Sequence, residues 1–200
     1  MPRLAEGSLR WILLGCLPLV AVPFWDSLIS LSLVVLPFLV AAFFRDPDRD
    51  VPDEGVVSPA DGRVSVVRQE EGRLRVGVFM NLHNVHVNRA PLDGRVVSQT
   101  HIDGSHLPAF SKSSERNERV VTRFETPDGE LETVQIAGTV ARRVTSYVEE
   151  GDSIERGECI GMIAFSSRVD VVFPGAYSRE DLEVEKGDRV RAGESILALR

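Results

Sequence analysis

Val148-Glu149-Glu150-Gly151-Asp152-Ser153-Ile154-Glu155-Arg156-Gly157-Glu158 returns, later in the chain, as Val184-Glu185-Lys186-Gly187-Asp188-Arg189-Val190-Arg191-Ala192-Gly193-Glu194. The shared pattern is Val-x-x-Gly-Asp-x-[Val/Ile]-x-x-Gly-Glu. A second pair lies upstream: Pro59-Ala60-Asp61-Gly62-Arg63-Val64 returns as Pro91-Leu92-Asp93-Gly94-Arg95-Val96. The physical content of both is turn chemistry. Gly-Asp and Asp-Gly supply the positive φ angles of tight turns, and the flanking Val and Ile residues alternate as one face of a sheet. From Val51 onward the texture is short β-like runs separated by Gly, Asp and Pro. Residues 51–200 therefore read as one mainly β body made of two quasi-repeated halves.

The Val-x-x-Gly-Asp pattern resembles the hairpin of biotinyl and lipoyl domains, which implies a flattened barrel-sandwich hybrid. A non-catalytic carrier or interaction module on that fold is one reading. Such carriers need a lysine at a hairpin tip, and the only lysines, Lys112 and Lys186, lie in the wrong context. The chain of 200 residues carries 23 Lys+Arg against 30 Asp+Glu, a net charge of −7. Residues 1–50 hold four Arg and five acids, so the other −6 belongs to residues 51–200. An acidic body argues against a nucleic-acid partner. Two cysteines, Cys16 and Cys159, give neither a disulfide framework nor a metal spacing, and a reducing compartment is the simpler expectation.

Residues 1–50 differ in kind. Trp11 to Phe24 is apolar, Asp26-Ser27 interrupts, and Leu28 to Phe44 is apolar again before Arg45-Asp46-Pro47-Asp48-Arg49-Asp50 closes the run. Each run is short for a spanning helix of about 20 residues, and Pro18, Pro23 and Pro37 would kink it. A signal peptide lacks its cleavage site here, and a buried helix pair would keep a polar face. A membrane-associated helical hairpin fits best. Arginines flank both outer ends, which would place both ends and the β body on the cytoplasmic side of the cell membrane.

Chemistry-bearing residues fall in four places. Gly161-Met162-Ile163-Ala164-Phe165-Ser166-Ser167-Arg168-Val169-Asp170-Val171-Val172-Phe173-Pro174 sets two serines between strand-like flanks. A hydroxyl beside a strained peptide carbonyl is an internal nucleophile; the bland alternative is a polar turn. The four histidines, His83, His86, His101 and His106, cluster after a strong strand from Leu74 to Met80. In extended chain His83 and His86 would point to opposite faces, so a shared metal is the weaker reading. Asp61 has a turn role that its repeat partner Asp93 shares. Asp61, His86 and Ser167 would make an Asp–His–Ser constellation if folding brought them together. Between the halves, Asp103 to Thr126 is polar and reads as a mobile loop, either a lid over a site or a merely solvated segment, with Arg116 and Arg119 available to an anionic head group.

Ser58-Pro59-Ala60-Asp61-Gly62, then His83-x-x-His86, then Asn117-Glu118-Arg119, then Phe165-Ser166-Ser167-Arg168-Val169-Asp170 together resemble the phosphatidylserine decarboxylases, in their short form, which includes archaetidylserine decarboxylases. Phe43-Phe44-Arg45-Asp46-Pro47 matches that form as well. The resemblance implies a membrane-bound proenzyme that cuts itself between Ser166 and Ser167. A β-chain of 1–166 and an α-chain of 167–200 would remain together as a heterodimer. Ser167 would become a covalent pyruvoyl group, the pyruvate cofactor of a serine-phospholipid decarboxylase. Asp61, His86 and Ser167 take the self-cleavage roles, and His83 a role in decarboxylation; no metal is implied. The chain departs from the family at Ser166, where glycine is usual.

Overall fold

The computed structural model describes residues 3–17, 27–104, 117–138, 144–164 and 167–200. It divides into two compact units, Met1–Asp48 and Arg49–Arg200.

In the first unit, β1 (Arg3–Leu4) pairs antiparallel with β2 (Arg45–Asp46). Between them run α1 (Leu9–Cys16) and α2 (Ser27–Phe43). Trp11 stacks on Phe44 with ring centroids 6.4 Å apart. One helical turn further, a Cβ at Gly15 would stand 3.2 Å from Val40. The absence of a side chain at Gly15 lets the two helices close, antiparallel. Residues 18–26, with Pro18, Pro23 and Trp25 of the expected hairpin, lie outside the described residues. As described, neither helix is long and apolar enough to cross a membrane; the 17 residues of α2 rise only about 25 Å.

The second unit is mainly β. Its strands are β3 (Val56–Val57), β4 (Gly62–Glu70), β5 (Arg73–Met80), β6 (Val87–Arg89), β7 (Gly94–Ile102), β8 (Arg119–Thr126), β9 (Gly129–Ile136), β10 (Val144–Ser146), β11 (Ser153–Ile154), β12 (Cys159–Ile163), β13 (Ser167–Val172), β14 (Arg189–Val190) and β15 (Ile196–Ala198). Eight of them form one antiparallel sheet in the order β11-β7-β8-β9-β13-β5-β4-β14; β10-β12-β6 and β15-β3 form smaller ones. Glu71 and Gly72, both at positive φ, make the two-residue turn between β4 and β5 that suits the strands' twist. Val64, Val76, Val78, Met80, Phe124, Leu131, Ile160, Val169, Val171, Phe173 and Leu197 are buried in one core.

β13 lies well inside the large sheet and is buried along its whole length. Its partners are β5, through Ser167↔Met80 to Val172↔Arg75, and β9, through Arg168↔Ile136 to Val172↔Glu132. The stretch around the paired serines is thus structural core as well as candidate chemistry.

The loop expected from Asp103 to Thr126 is corrected over its second part. Arg119–Thr126 is β8, flanked by β7 and β9, and Asn117 and Glu118 before it are buried. The charged residues misled because they alternate: Val120, Thr122, Phe124 and Thr126 are buried while Arg123 and Glu125 are exposed. Residues 105–116, including His106, Lys112 and Arg116, lie outside the described residues.

The two quoted repeats meet in matched pairs. β14 joins β4 through Val190↔Gly62 and Arg189↔Arg63, and β11 joins β7 through Ile154↔Gly94 and Ser153↔Arg95. Val64 N–H donates to the Asp188 carbonyl at 2.9 Å, and Val96 N–H to the Asp152 carbonyl at 2.8 Å. Gly193 N–H donates to the Ser58 carbonyl at 2.8 Å, and Gly157 N–H to the Ala90 carbonyl at 2.9 Å.

Candidate active site

The site forms where three neighbouring strands begin or end: the start of β4, the end of β5 and the start of β13. Gly62 opens β4 at φ 155°, and a Cβ there would fall 2.0 Å from the Phe79 carbonyl oxygen. Only glycine allows the Asp61 turn to lie this close on β5. On the other side of β5, Met80 is the register partner of Ser167. Asp61 and Ser167 are therefore anchored on opposite flanks of one strand end.

Asp61 is held by two donors on the same oxygen, Oδ1. Ala192 N–H and Arg49 Nη2 both reach it at 2.9 Å. Arg49 also reaches Glu194 Oε1 at 3.4 Å, and its side chain is only 5% exposed. Here Asp61 parts company with Asp93. Asp93 Oδ1 accepts the equivalent backbone bond, from Arg156 N–H at 2.8 Å. Its side chain is 59% exposed, against 14% for Asp61, and Arg156 approaches it only to 3.9 Å. The turn role is common to both; the buried guanidinium belongs to Asp61 alone. Arg49 was not legible from sequence, because its distance from Asp61 along the chain gives no hint of contact.

His83 and His86 go to different surroundings, but a turn separates them, not the extended chain expected from sequence. Asn84 Oδ1 accepts from Asn81 N–H at 2.8 Å, and Asn84 N–H donates to the Asn81 carbonyl at 3.0 Å. This local turn, of the kind Asn favours, leaves His83 exposed. His83 and Asp61 line one open cleft of about 450 Å³, together with Arg63, Asn81, Arg189 and Arg191. His86 is buried just before β6.

Ser167 is fully buried at the first position of β13. Ile163, the last residue of β12, ties it to His86. Ile163 N–H donates to the His86 carbonyl at 3.3 Å, and the Ile163 carbonyl accepts from Ser167 Oγ at 3.5 Å. The structure thus sets Asp61 and His83 at the cleft, and links His86 and Ser167, both buried, through Ile163. Ser166, the other half of the expected scissile bond, lies outside the described residues. Among the described residues no group of three or more His, Cys, Asp or Glu is arranged to hold a metal ion.

Two further groups frame Ser167. On its own sheet face, Gln135 Nε2 donates to Asn88 Oδ1 at 2.9 Å, and Asn88 Nδ2 meets Met80 Sδ at 3.6 Å, all buried. Gly161 leaves room for this pair, since a Cβ there would lie 2.8 Å from Gln135 Nε2. On the opposite face, Asp170 is fully buried between two guanidinium groups. Arg168 Nε reaches Asp170 Oδ1 at 2.7 Å and Arg75 Nη2 reaches Oδ2 at 2.7 Å. Burial works against the Arg75 charge, but Asp170 and Glu70 together outweigh it and hold the pKa above its ordinary value. Gly77 stands opposite Asp170, where a Cβ would come within 2.5 Å of Asp170 Oδ1.

The chain is similar to known proteins over most of its length. A family model described as phosphatidylserine decarboxylase matches residues 36–198. A putative archaetidylserine decarboxylase proenzyme of Halobacterium salinarum is 57% identical over 166 residues, covering 82% of this chain and 83% of the relative. One of Methanococcoides burtonii is 47% identical over 206 aligned positions, covering 98% and 95%. A phosphatidylserine decarboxylase proenzyme of Streptomyces avermitilis is 46% identical over 198 residues, covering 96% and 91%.

Proposed function

This chain belongs to the phosphatidylserine decarboxylase family, and on that footing we propose that it removes CO2 from a serine phospholipid after cutting itself between Ser166 and Ser167. The observation that carries the reading is the placement of Ser167: buried, at the start of β13, with Oγ turned back to the Ile163 carbonyl at 3.5 Å.

In the first reaction His86 takes the Ser167 hydroxyl proton, with Asp61 orienting it. Oγ adds to the carbonyl carbon of Ser166, and the C–N bond of the peptide breaks as the amine of Ser167 leaves. The resulting ester loses the Ser167 α-proton and expels the Ser166 carboxylate. Hydrolysis of the dehydroalanine that remains releases ammonia and leaves a pyruvoyl terminus on the 167–200 chain, which stays paired with the 1–166 chain. The residues present fit this outcome, because the pairing of β13 with β5 and β9 begins at its first residues and holds the new terminus after the cut. The pyruvoyl carbonyl supplies an electrophile for the substrate's amine and a sink for the electrons left by CO2. His83, exposed at the cleft, delivers a proton to the product carbon.

The matched bonds of the two repeats support a body built from two related halves, in the manner of a barrel-sandwich hybrid. Exposed Leu9, Leu13, Leu14, Leu17, Phe38 and Leu39 in α1, α2 and beside them support a hydrophobic hairpin seated in the cell membrane, with the body on its cytoplasmic side. Recognition then rests on the head group. Ester-linked and ether-linked tails are both accepted, and free serine is a poor substrate. The test is CO2 release from serine, phosphatidylserine and archaetidylserine by processed enzyme. Lipids are expected to exceed serine by orders of magnitude; equal turnover of free serine would end the phospholipid reading.

A further inference from the structure

The matched halves provide an internal control for the cleft. Backbone pairing is the same in both, yet the side chains differ in charge. Around Asp61 the register places Arg63 directly opposite Arg189, with Arg191 two residues on. At the equivalent places around Asp93 stand Arg95, Ser153 and Glu155. Arg63 and Arg95 share one structural bond, donating to the Gly187 carbonyl at 2.8 Å and the Gly151 carbonyl at 3.2 Å. Arg189 and Arg191 have no counterpart in the other half. Like charges directly opposed across strands are destabilising, so this pairing acts against the fold unless an anion lies between them. All three arginines line the cleft that holds Asp61 and His83, and the negative charge of Asp61 is already engaged by the buried Arg49. The setting is a chain of net charge −7, which makes three arginines on one cleft a local exception. A cleft of about 450 Å³ suits a small polar head group.

We infer that Arg189 and Arg191, aided by Arg63, bind the phosphodiester of the substrate's head group. This inference rests on the decarboxylase reading and adds to it the group that distinguishes a serine lipid from serine. Guanidinium groups suit it, since they present paired donors to two phosphate oxygens. Arg119, the other sequence candidate for an anion, does not line this cleft; it opens β8.

The test uses full-length, self-processed enzyme and serine lipid in neutral-detergent micelles. The Arg189→Gln/Arg191→Gln protein is compared with wild type and with Arg123→Gln/Arg179→Gln, which removes the same charge elsewhere on the surface. The cleft variant is expected to process normally, to keep kcat, and to raise KM about 10- to 100-fold, as for loss of charge-assisted hydrogen bonds. Inhibition by soluble glycerophosphoserine should weaken by a similar factor, and inhibition by inorganic phosphate should weaken with it. An unchanged KM overturns the assignment. So does a raised KM with unchanged glycerophosphoserine inhibition, which would make the arginines a lipid-surface contact. If wild type releases no CO2 from any serine lipid, the decarboxylase reading falls and the assignment with it.

Discussion

Asp61 and Asp93 occupy the same turn in the two repeats, and nothing in the sequence ranks one above the other. The structure separates them by one residue, Arg49, whose buried guanidinium holds Asp61. Asp61→Asn is accordingly expected to slow self-cleavage by about 100-fold or more, the scale of a general-base contribution. Asp93→Asn should cut at the wild-type rate, and Arg49→Met should fall between them. A time course of proenzyme conversion on denaturing gels measures all three. Equal behaviour of Asp61→Asn and Asp93→Asn would reduce both to turn formers. Gly62→Ala tests the packing beneath, because its Cβ has no space beside the Phe79 carbonyl. A loss of at least about 2 kcal/mol is expected, read from the denaturant midpoint of the uncut Ser167→Ala protein.

At the level of elements, legibility followed periodicity. The repeats announced the turns that pair β4 with β14 and β7 with β11, and the apolar flanks of the paired serines announced β12 and β13. β8 was missed, because its outward Arg123 and Glu125 make the segment look like loop until the buried alternation of Val120, Thr122, Phe124 and Thr126 is counted. Arg49 beside Asp61 and Arg75 beside Asp170 were not legible either, since ion pairs between separate segments leave no local pattern. Arg189-x-Arg191 against Ser153-x-Glu155 was a readable signal: two repeats with one backbone role need no such charge difference. On β13, Asp170 joins Arg168 and Arg75 in a buried network. Asp170→Asn removes the charge that the buried Arg168 and the part-buried Arg75 share, although Arg75 keeps Glu70 at 2.9 Å, and should cost about 3 kcal/mol, measured in the same Ser167→Ala background. A change below about 0.5 kcal/mol, as at an ordinary surface site, would show that the network does not hold β13 in place.

At the level of the whole molecule, the two compact units suggest a division of labour between lipid attachment and chemistry. A chain lacking residues 1–44 keeps Arg49 and every strand from β3 on. It is expected to fold, to cut itself, and to lose sedimentation with phospholipid vesicles; aggregation without cutting would place the N-terminal helices in the folding core. The central claim, however, is that Ser167 is both nucleophile and precursor of the reactive group. Intact-mass spectrometry of the purified full-length protein tests it most directly. Two chains are expected, 1–166 and 167–200, the smaller lighter than a serine-started peptide by one ammonia, with a single uncut chain for Ser167→Ala. A wild-type protein that remains whole, or a Ser167→Ala protein that still splits at this bond, would contradict it.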